Sequence, residues 1–406
     1  MQPILGNMAE LTFQDLTFED LDDKIRVTLM RLWYFDILRA ELGGNIQAKG
    51  HSVLFSGLDE LSARALFNRV LDQGLNNLTN KVTGNPTVYI HRGSGIPLIG
   101  SLAFGLVDRD TNLIEAKAMS GCHLNCVYCS VDEGPNSRKI VDYLVEKEYL
   151  VEELNKLVAF KDEDVGIVLN IHGEPMLYPK LAELAQDISA NHHVRMISVY
   201  TNGMLLTRPI IDQLSKVPQM EITVSLNAVD EQIASRMAGA PYPVRHVMEM
   251  LRYAASRMKV AIAPLYMEGI NEAEFPKLIA FARECNMPIA PQNFLNYRFG
   301  RNPQTQIPMD EFYRKLRVWE QEYGVRLVHE DLFMPVRMTR KLPKPFRKGQ
   351  IVQAIIAMPG RYPNEKLVAA SDRTITVPRC SHKPGQMARI RVLRAKDNVF
   401  YAECLA

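Results

Sequence analysis

Between residues 112 and 296, short apolar runs alternate with amphipathic stretches. The runs occupy 112–119, 165–172, 194–200, 220–226, 260–267 and 289–295, and the stretches 142–160, 181–190, 210–216, 244–258 and 272–285 carry apolar residues at helical spacing. Nearly continuous apolar runs mark strands buried on both faces. Strand followed by helix, repeated in series, marks a parallel sheet with helices outside it. Six units are too few for a closed eight-stranded barrel, so the pattern predicts an α/β fold built on an open, partial (β/α)6 barrel. Its chemistry belongs at the C-terminal ends of the strands.

The flanks read differently. Residues 8–80 are expected to be helical, with Leu21, Ile25, Leu29, Leu32 and Trp33 at helical spacing. The pattern repeats over 59–75 in Leu61, Ala65, Phe67, Val70 and Leu71, and Gly43–Gly44 and Gly74 punctuate it. β-like pieces follow at 87–91 and 101–107, and a helix is predicted over 310–323. Residues 337–350 hold six basic residues, two prolines and no acid, and read as a linker. Beyond lie five strand-like runs, at 350–358, 366–371, 373–377, 388–395 and 398–405, which predict a small β-barrel. The expected organisation is a helical N-terminal region (1–85), a β-rich lead-in (86–111), the partial barrel (112–336), the linker (337–350) and a small basic β-barrel (351–406).

Composition narrows the class. The 406 residues are 47% hydrophobic and 23% charged, which excludes global disorder, a collagen-like fibre and a coiled coil. No apolar run approaches the ~20 residues a bilayer-spanning helix needs. The opening MQPILGNMAELTFQDLTFEDLDD turns acidic where a secretory leader is basic and then apolar, so a cytoplasmic location is expected. The net charge of +2 hides an asymmetry: residues 337–406 carry 15 Lys+Arg against 4 Asp+Glu, the remainder 33 against 42. A basic tail on an acidic body suits an anionic partner, and equally a solvated face without one.

Six cysteines are too few for a disulfide scaffold, yet Cys122, Cys126 and Cys129 fall within eight residues, spaced C-x3-C-x2-C. One loop so spaced can wrap a single metal centre. Zinc wants four ligands, normally as two C-x-x-C pairs, and no second pair exists; completion by His123 or a distant cysteine is one competing reading, and three buried apolar thiols another. A [4Fe–4S] cluster uses one thiolate per iron, so three cysteines leave one iron without a protein ligand. Cys285, Cys380 and Cys404 are too few for a second four-cysteine site and read as small buried apolar residues. His192–His193 read as a helix C-terminal cap, and Met258, Met267 and Met287 as core.

The C-x3-C-x-aromatic-C loop after the first strand of a β/α series resembles the radical SAM enzymes. The resemblance implies that S-adenosylmethionine chelates the open iron and that reductive cleavage gives a 5′-deoxyadenosyl radical. Cys122, Cys126 and Cys129 would then be the cluster ligands, with Tyr128 packed beside the cluster and its carbonyl offered to adenine. His172-Gly173-Glu174-Pro175 is similar to the family's GGEP segment, with His172 in place of the first glycine. Glu174, counted with the cysteines as catalytic, would accept hydrogen bonds from the methionine ammonium. Thr201 and Asn202 match the TNG strand end near the sulfonium, Ser225 and Asn227 the ribose position, and Met267, Gly269 and Ile270 the adenine slot. Gln292, Asn293, Asn296 and Tyr297, at the sixth strand end, are the expected substrate or corrin contacts.

A narrower resemblance spans most of the chain. Pro97–Gly100, Phe104–Arg109, Thr111–Glu115, Cys129–Gly134, Asn296–Arg301, Gly360-Arg361, Asp372-Arg373 and Asp397–Phe400 resemble the methanogenesis marker protein 10 family. That resemblance implies a cobalamin-dependent C-methyltransferase acting on an arginine δ-carbon of the methyl-coenzyme M reductase alpha subunit, with a ferredoxin or flavodoxin as electron donor. The usual DxHxxG cobalamin motif does not occur, so cobalamin enters only through the resemblance, expected near the C-terminal domain. The alternative is a radical SAM enzyme that modifies tRNA or rRNA, because the basic five-stranded barrel resembles the RNA-binding TRAM domain.

Overall fold

The computed structural model describes residues 8–43, 46–169, 172–329 and 334–405. Residues 1–7, Gly44 and positions 170–171 of the second apolar run, all used in the sequence reading, lie outside them. The chain divides into two units, Met1–Ile90 with Ile140–Leu144, and His91–Lys139 with Val145–Ala406.

The first unit corrects the expectation of a helical N-terminus: it is mostly strand. Its strands are β1 (Met8–Thr12), β2 (Leu16–Asp20), β3 (Lys24–Leu29), β4 (Trp33–Leu38), β5 (Ile46–Lys49), β6 (Ser52–Ser56), β7 (Leu78–Asn80) and β8 (Pro86–Ile90). An antiparallel sheet runs in the order β1-β6-β5, and a six-stranded one runs from β2 through β3, β4, β7 and β8 to Asp142–Val145. The misreading has a simple cause. Ile25 and Leu29 are four apart, a spacing that puts residues on one face of a helix and equally on one face of a strand. Val27 between them is also buried, and Ile25, Val27 and Leu29 pair across β3 and β4 with Ile37, Phe35 and Trp33. Met30 and Arg31 turn the chain between the strands, both with positive φ. The second predicted helix is present as α1 (Glu60–Leu75), capped by Asp59, whose Oδ1 accepts the Ser62 N–H at 2.7 Å. Phe67 of α1 packs among Phe13, Phe18 and Phe55 at ring distances of 4.9, 5.7 and 6.5 Å.

The second unit holds the curled half-barrel. Its strands are β9 (Gly105–Asp108), β10 (Leu113–Lys117), then, counting Asp142–Val145 as β11, β12 (Val165–Leu169), β13 (Val194–Thr201), β14 (Met220–Val224) and β15 (Lys259–Ile262), in the order β9-β10-β12-β13-β14-β15. β9 is antiparallel to β10 and the other neighbours are parallel. All five residues of β12 and of β14 are buried, which explains runs without polar alternation. The sixth run contributes only β17 (Gln292–Asn293), parallel to β16 (Leu265–Tyr266). Outside the sheet lie α2 (Lys147–Lys161), α3 (Leu181–Ser189), α4 (Arg208–Leu214), α5 (Glu231–Ala238), α6 (Val244–Ala255) and α7 (Phe275–Glu284), with α8 (Met309–Tyr323) following. The helix expected over 142–160 begins as strand and becomes helical only at Lys147; α5 was not anticipated.

Beyond α8, β18 (Ile351–Pro359), β19 (Lys366–Ala370), β20 (Arg373–Val377), β21 (Met387–Lys396) and β22 (Val399–Cys404) close into a barrel in the order β18-β19-β20-β22-β21. Ile356, Val368, Ile375, Val377, Ile390, Val392 and Phe400 fill it. The preceding basic segment is anchored. The Lys161 ammonium, with its side chain fully buried, donates to Asp108 Oδ1 at 2.8 Å, Thr339 Oγ1 at 2.8 Å and the Arg340 carbonyl at 2.9 Å. Among the described residues no helix is long and apolar enough to cross a membrane.

Removing one partner of a buried ion pair leaves the other charged and dry, at about 3–5 kcal/mol. Lys161→Met is therefore expected to lower the unfolding free energy read from urea denaturation by that much, and adding Asp108→Leu to restore most of it; an unchanged urea midpoint in the single variant contradicts this account.

Candidate cluster and cofactor site

The loop after β10 carries Cys122, Cys126 and Cys129, and the chain grips it from several sides. The Leu124 N–H points at Cys122 Sγ (3.5 Å) and the Glu133 N–H at Cys129 Sγ (3.2 Å). The end of α5 takes up the loop's middle: Asn125 and Val127 donate to the carbonyls of Ala238 and Met237 at 3.1 and 3.0 Å. Gly239 sits there at φ +64°, where a Cβ would lie 2.2 Å from the Asn125 carbonyl oxygen. Arg301 clamps the far side. Its guanidinium donates to Asp132 Oδ1 (2.9 Å), the Cys126 carbonyl (3.1 Å) and the Glu133 carbonyl (3.0 Å), and its backbone N–H to the Cys129 carbonyl (2.8 Å).

Glu133 is buried beneath this loop and meets two cations. Lys139 Nζ donates to Oε1 at 2.6 Å, and Arg361, from the turn after β18, engages both oxygens, with Nη2 to Oε2 at 3.1 Å. Burial alone would raise the Glu133 pKa, but the charges of Arg361 and Lys139 hold it below the ordinary value. The loop thus rests on the C-terminal barrel. Glu133, Arg301 and Arg361 lie within segments that carry the family resemblance, but no role for them was legible in the sequence; an arginine beside a glycine in the 296–301 segment was the available signal for Arg301.

The strand-end residues gather at the same mouth. Gly173, at φ +94°, passes so close to the cluster loop that a Cβ would lie 2.4 Å from the Gly121 carbonyl oxygen, and the Glu174 N–H donates to that oxygen at 3.1 Å. The Glu174 carboxyl, 1% exposed, accepts from Thr201 Oγ1 (2.6 Å), the Asn202 N–H (2.9 Å) and the Met176 N–H (3.0 Å), which ties the ends of β12 and β13 together. Burial outweighs these donors and raises its pKa from 4.5 to about 7. Pro175 opens the following turn of 3-10 helix. Asn227 donates to the Tyr128 hydroxyl at 2.5 Å and accepts the Leu265 N–H at 2.8 Å, while the Ser225 N–H donates to the Thr201 carbonyl at 2.9 Å. Tyr128, Leu265, Met267, Ile270, Met237 and Phe294 form one apolar cluster. Gly269 turns beside it at φ +70°. His172 is half-buried, and desolvation drives its pKa well down.

The sixth strand end is spent otherwise. Asn293 donates to the Ile307 carbonyl at 3.0 Å; Asn296 bonds Gln306 and the Gln304 carbonyl, and Tyr297 accepts from Asn302. Gln292 and Tyr297 are exposed. The Asn296 side chain and the Tyr297 backbone close their own loop, whereas the Tyr297 ring stays exposed, and no step is assigned to a corrin there.

The chemistry of the donors fits an iron–sulfur cluster. Burial raises the pKa of Cys122, and that of Cys126 to about 12, so these thiols ionise only beside a bound cation. Both ring nitrogens of His123, next to Cys122, are buried without a hydrogen-bond partner, as in a site completed by a polar ligand from outside the chain.

A parallel half-barrel with three thiolates after its first strand is the architecture of an enzyme that holds a cluster at the barrel mouth. Comparison with known proteins agrees. The Radical SAM superfamily model matches residues 117–282. An uncharacterized protein of Methanocaldococcus jannaschii is 34% identical over 361 residues, 81% of this chain and 83% of that protein. The GTP 3',8-cyclase of Chlorobaculum tepidum is 25% identical over 49% of this chain and 58% of the cyclase, little more than half its length. The crystal structure of a radical SAM methyltransferase from Sphaerobacter thermophilus shares 17% identity over 53% of this chain and 65% of that one, at a TM-score of 0.43. The chain belongs to the radical SAM superfamily. Membership carries a [4Fe–4S] cluster and S-adenosylmethionine with it.

Two outcomes follow. Arg301→Gln is expected to lower the iron retained per chain after reconstitution and desalting, because the loop loses its clamp; wild-type retention would contradict the clamp. In cluster-free protein, the folded chain holds a proton on Glu174 between about 4.5 and about 7 that the unfolded chain has released, so stability falls as pH rises through that window. Urea midpoints at pH 5 and pH 8 should differ less in Glu174→Gln than in wild type.

Proposed function

We propose that this radical SAM enzyme is a C-methyltransferase acting on a protein, with an arginine δ-carbon of the methyl-coenzyme M reductase alpha subunit as target, cobalamin as methyl carrier and a ferredoxin or flavodoxin as electron donor. The narrower family resemblance supports the target and the carrier. What carries the reaction class is the convergence of the triad loop, the Glu174 segment, Thr201–Asn202 and the Tyr128–Asn227 contact at one end of the sheet. Bound there, the cluster and S-adenosylmethionine supply a hydrogen-abstracting organic radical.

The chain's own residues prepare that end. Arg301 and Glu133 fix the thiolate loop. Glu174 locks two strand ends together and lies beside the position expected for the methionine ammonium, which would favour its ionised form. The apolar cluster around Met267 and Tyr128 offers a flat ring a dry face, and Asn227 directs a polar edge beside it.

A second reading has an observation of its own. On β21, Arg389, Arg391, Arg394 and Lys396 are exposed while Ala388, Ile390 and Val392 point inward, a basic stripe suited to an RNA backbone.

One experiment separates the two. Under anaerobic, reducing conditions with S-adenosylmethionine and cobalamin, an arginine-containing reductase peptide should gain the mass of one CH2, and 5′-deoxyadenosine should form. Modified RNA with unmodified peptide favours the second reading. Cys126→Ala should abolish both products, and 5′-deoxyadenosine formation that survives it would overturn the superfamily chemistry at this loop.

A further inference from the structure

The C-terminal barrel brings together cysteines that the sequence reading treated as apolar filler. Cys380 lies in the turn after β20 and is fully buried, and Cys404 ends β22. Their sulfurs are 3.4 Å apart across 24 residues of chain, and His382 Nδ1 lies 3.7 Å from the first and 3.4 Å from the second. Three soft or borderline ligand atoms therefore form a closed triangle at one end of the barrel core.

Its dimensions discriminate between uses. Zn–S bonds of about 2.3 Å and Zn–N bonds of about 2.0–2.1 Å at tetrahedral angles put sulfur about 3.8 Å from sulfur and about 3.6 Å from nitrogen. The observed edges lie within a few tenths of an ångström of these. A disulfide needs the sulfurs at about 2.05 Å and gives the imidazole nothing to do. Apolar packing explains the buried Cys380, but not a ring nitrogen within reach of both sulfurs. Charge also balances: two thiolates neutralise a divalent cation, and a neutral imidazole adds none, so the complex suits the apolar barrel interior.

We propose that Cys380, His382 and Cys404 bind a zinc ion, distinct from the cluster, with the fourth position on the less buried His382–Cys404 side taken by water. Binding releases the two thiol protons. The ion ties the turn after β20 to the last strand. The same turn supports the neighbouring one, since the Cys380 N–H donates to the Asn364 carbonyl at 2.8 Å, and Arg361 at the start of that neighbouring turn reaches Glu133 under the cluster loop. The zinc thus stiffens the element on which the thiolate loop rests.

The test uses the full chain, purified with thiols reduced, exposed to zinc chloride, desalted and assayed for zinc and iron together. About one zinc per chain is expected, retained in Cys126→Ala, which loses cluster iron. Cys404→Ser and His382→Ala should each reduce bound zinc by about tenfold or more. Because Cys404 is near the core, circular dichroism of both variants accompanies the assay, and cobalt(II) substitution of the unmutated chain gives a second readout, a thiolate-to-cobalt absorption band lost on adding zinc. Wild-type protein that holds no zinc and develops no cobalt band overturns the proposal, as does zinc undiminished in folded His382→Ala. A Cys380–Cys404 disulfide in reduced preparations, read by peptide mass, also overturns it.

Discussion

Glu133 is a carboxylate kept ionised in a place that excludes water, and much of the second unit is arranged around that fact. Its side chain holds Arg361 of the C-terminal barrel and Lys139 of the loop that follows the cysteines. Its amide faces a thiol of the triad, and its carbonyl takes the guanidinium that descends from the sixth strand end. Three distant stretches of chain thus meet at one residue. Once such charges are desolvated, each becomes obligatory to the others, so this contact fixes geometry more than it adds net stability.

What the sequence disclosed follows from range. Buried parallel strands print as unbroken apolar runs, and a thiolate loop needs only eight residues, so the half-barrel and the triad were readable locally. The N-terminal strands were not, because Ile25 and Leu29 satisfy two periodicities and only their pairing with Ile37 and Trp33 chooses between them. Asp142–Val145 vanished into the helix behind it for the same reason. Glu133 and Arg361 stand 228 residues apart, and nothing in the neighbourhood of either reveals the other. Cys380 and Cys404 are likewise made neighbours only by barrel closure.

The charge asymmetry along the chain also changes meaning once folded. Part of the basic excess of the last 70 residues answers acids and carbonyls of the half-barrel: Arg361 meets Glu133, Arg337 meets Glu163, and Arg340 reaches the Phe160 carbonyl. The acidic body and basic tail are in this respect halves of one internal match. The remainder includes the exposed Arg389, Arg394 and Lys396 on the outer face of β21, while Arg391 beside them pairs with Glu403.

Topology suggests that the small barrel is an appendage, since every strand of the curled sheet is complete before the chain reaches it. Charge says otherwise. A version shortened after α8 would leave Glu133 with Lys139 alone and deprive the Lys161 ammonium of Thr339 and Arg340. The two pieces are therefore not interchangeable parts. A barrel transplanted from another protein would have to bring an arginine to the position of Arg361 and a polar strap to that of Thr339, or Glu133 would face one cation instead of two and Lys161 would keep Asp108 but lose its other two acceptors.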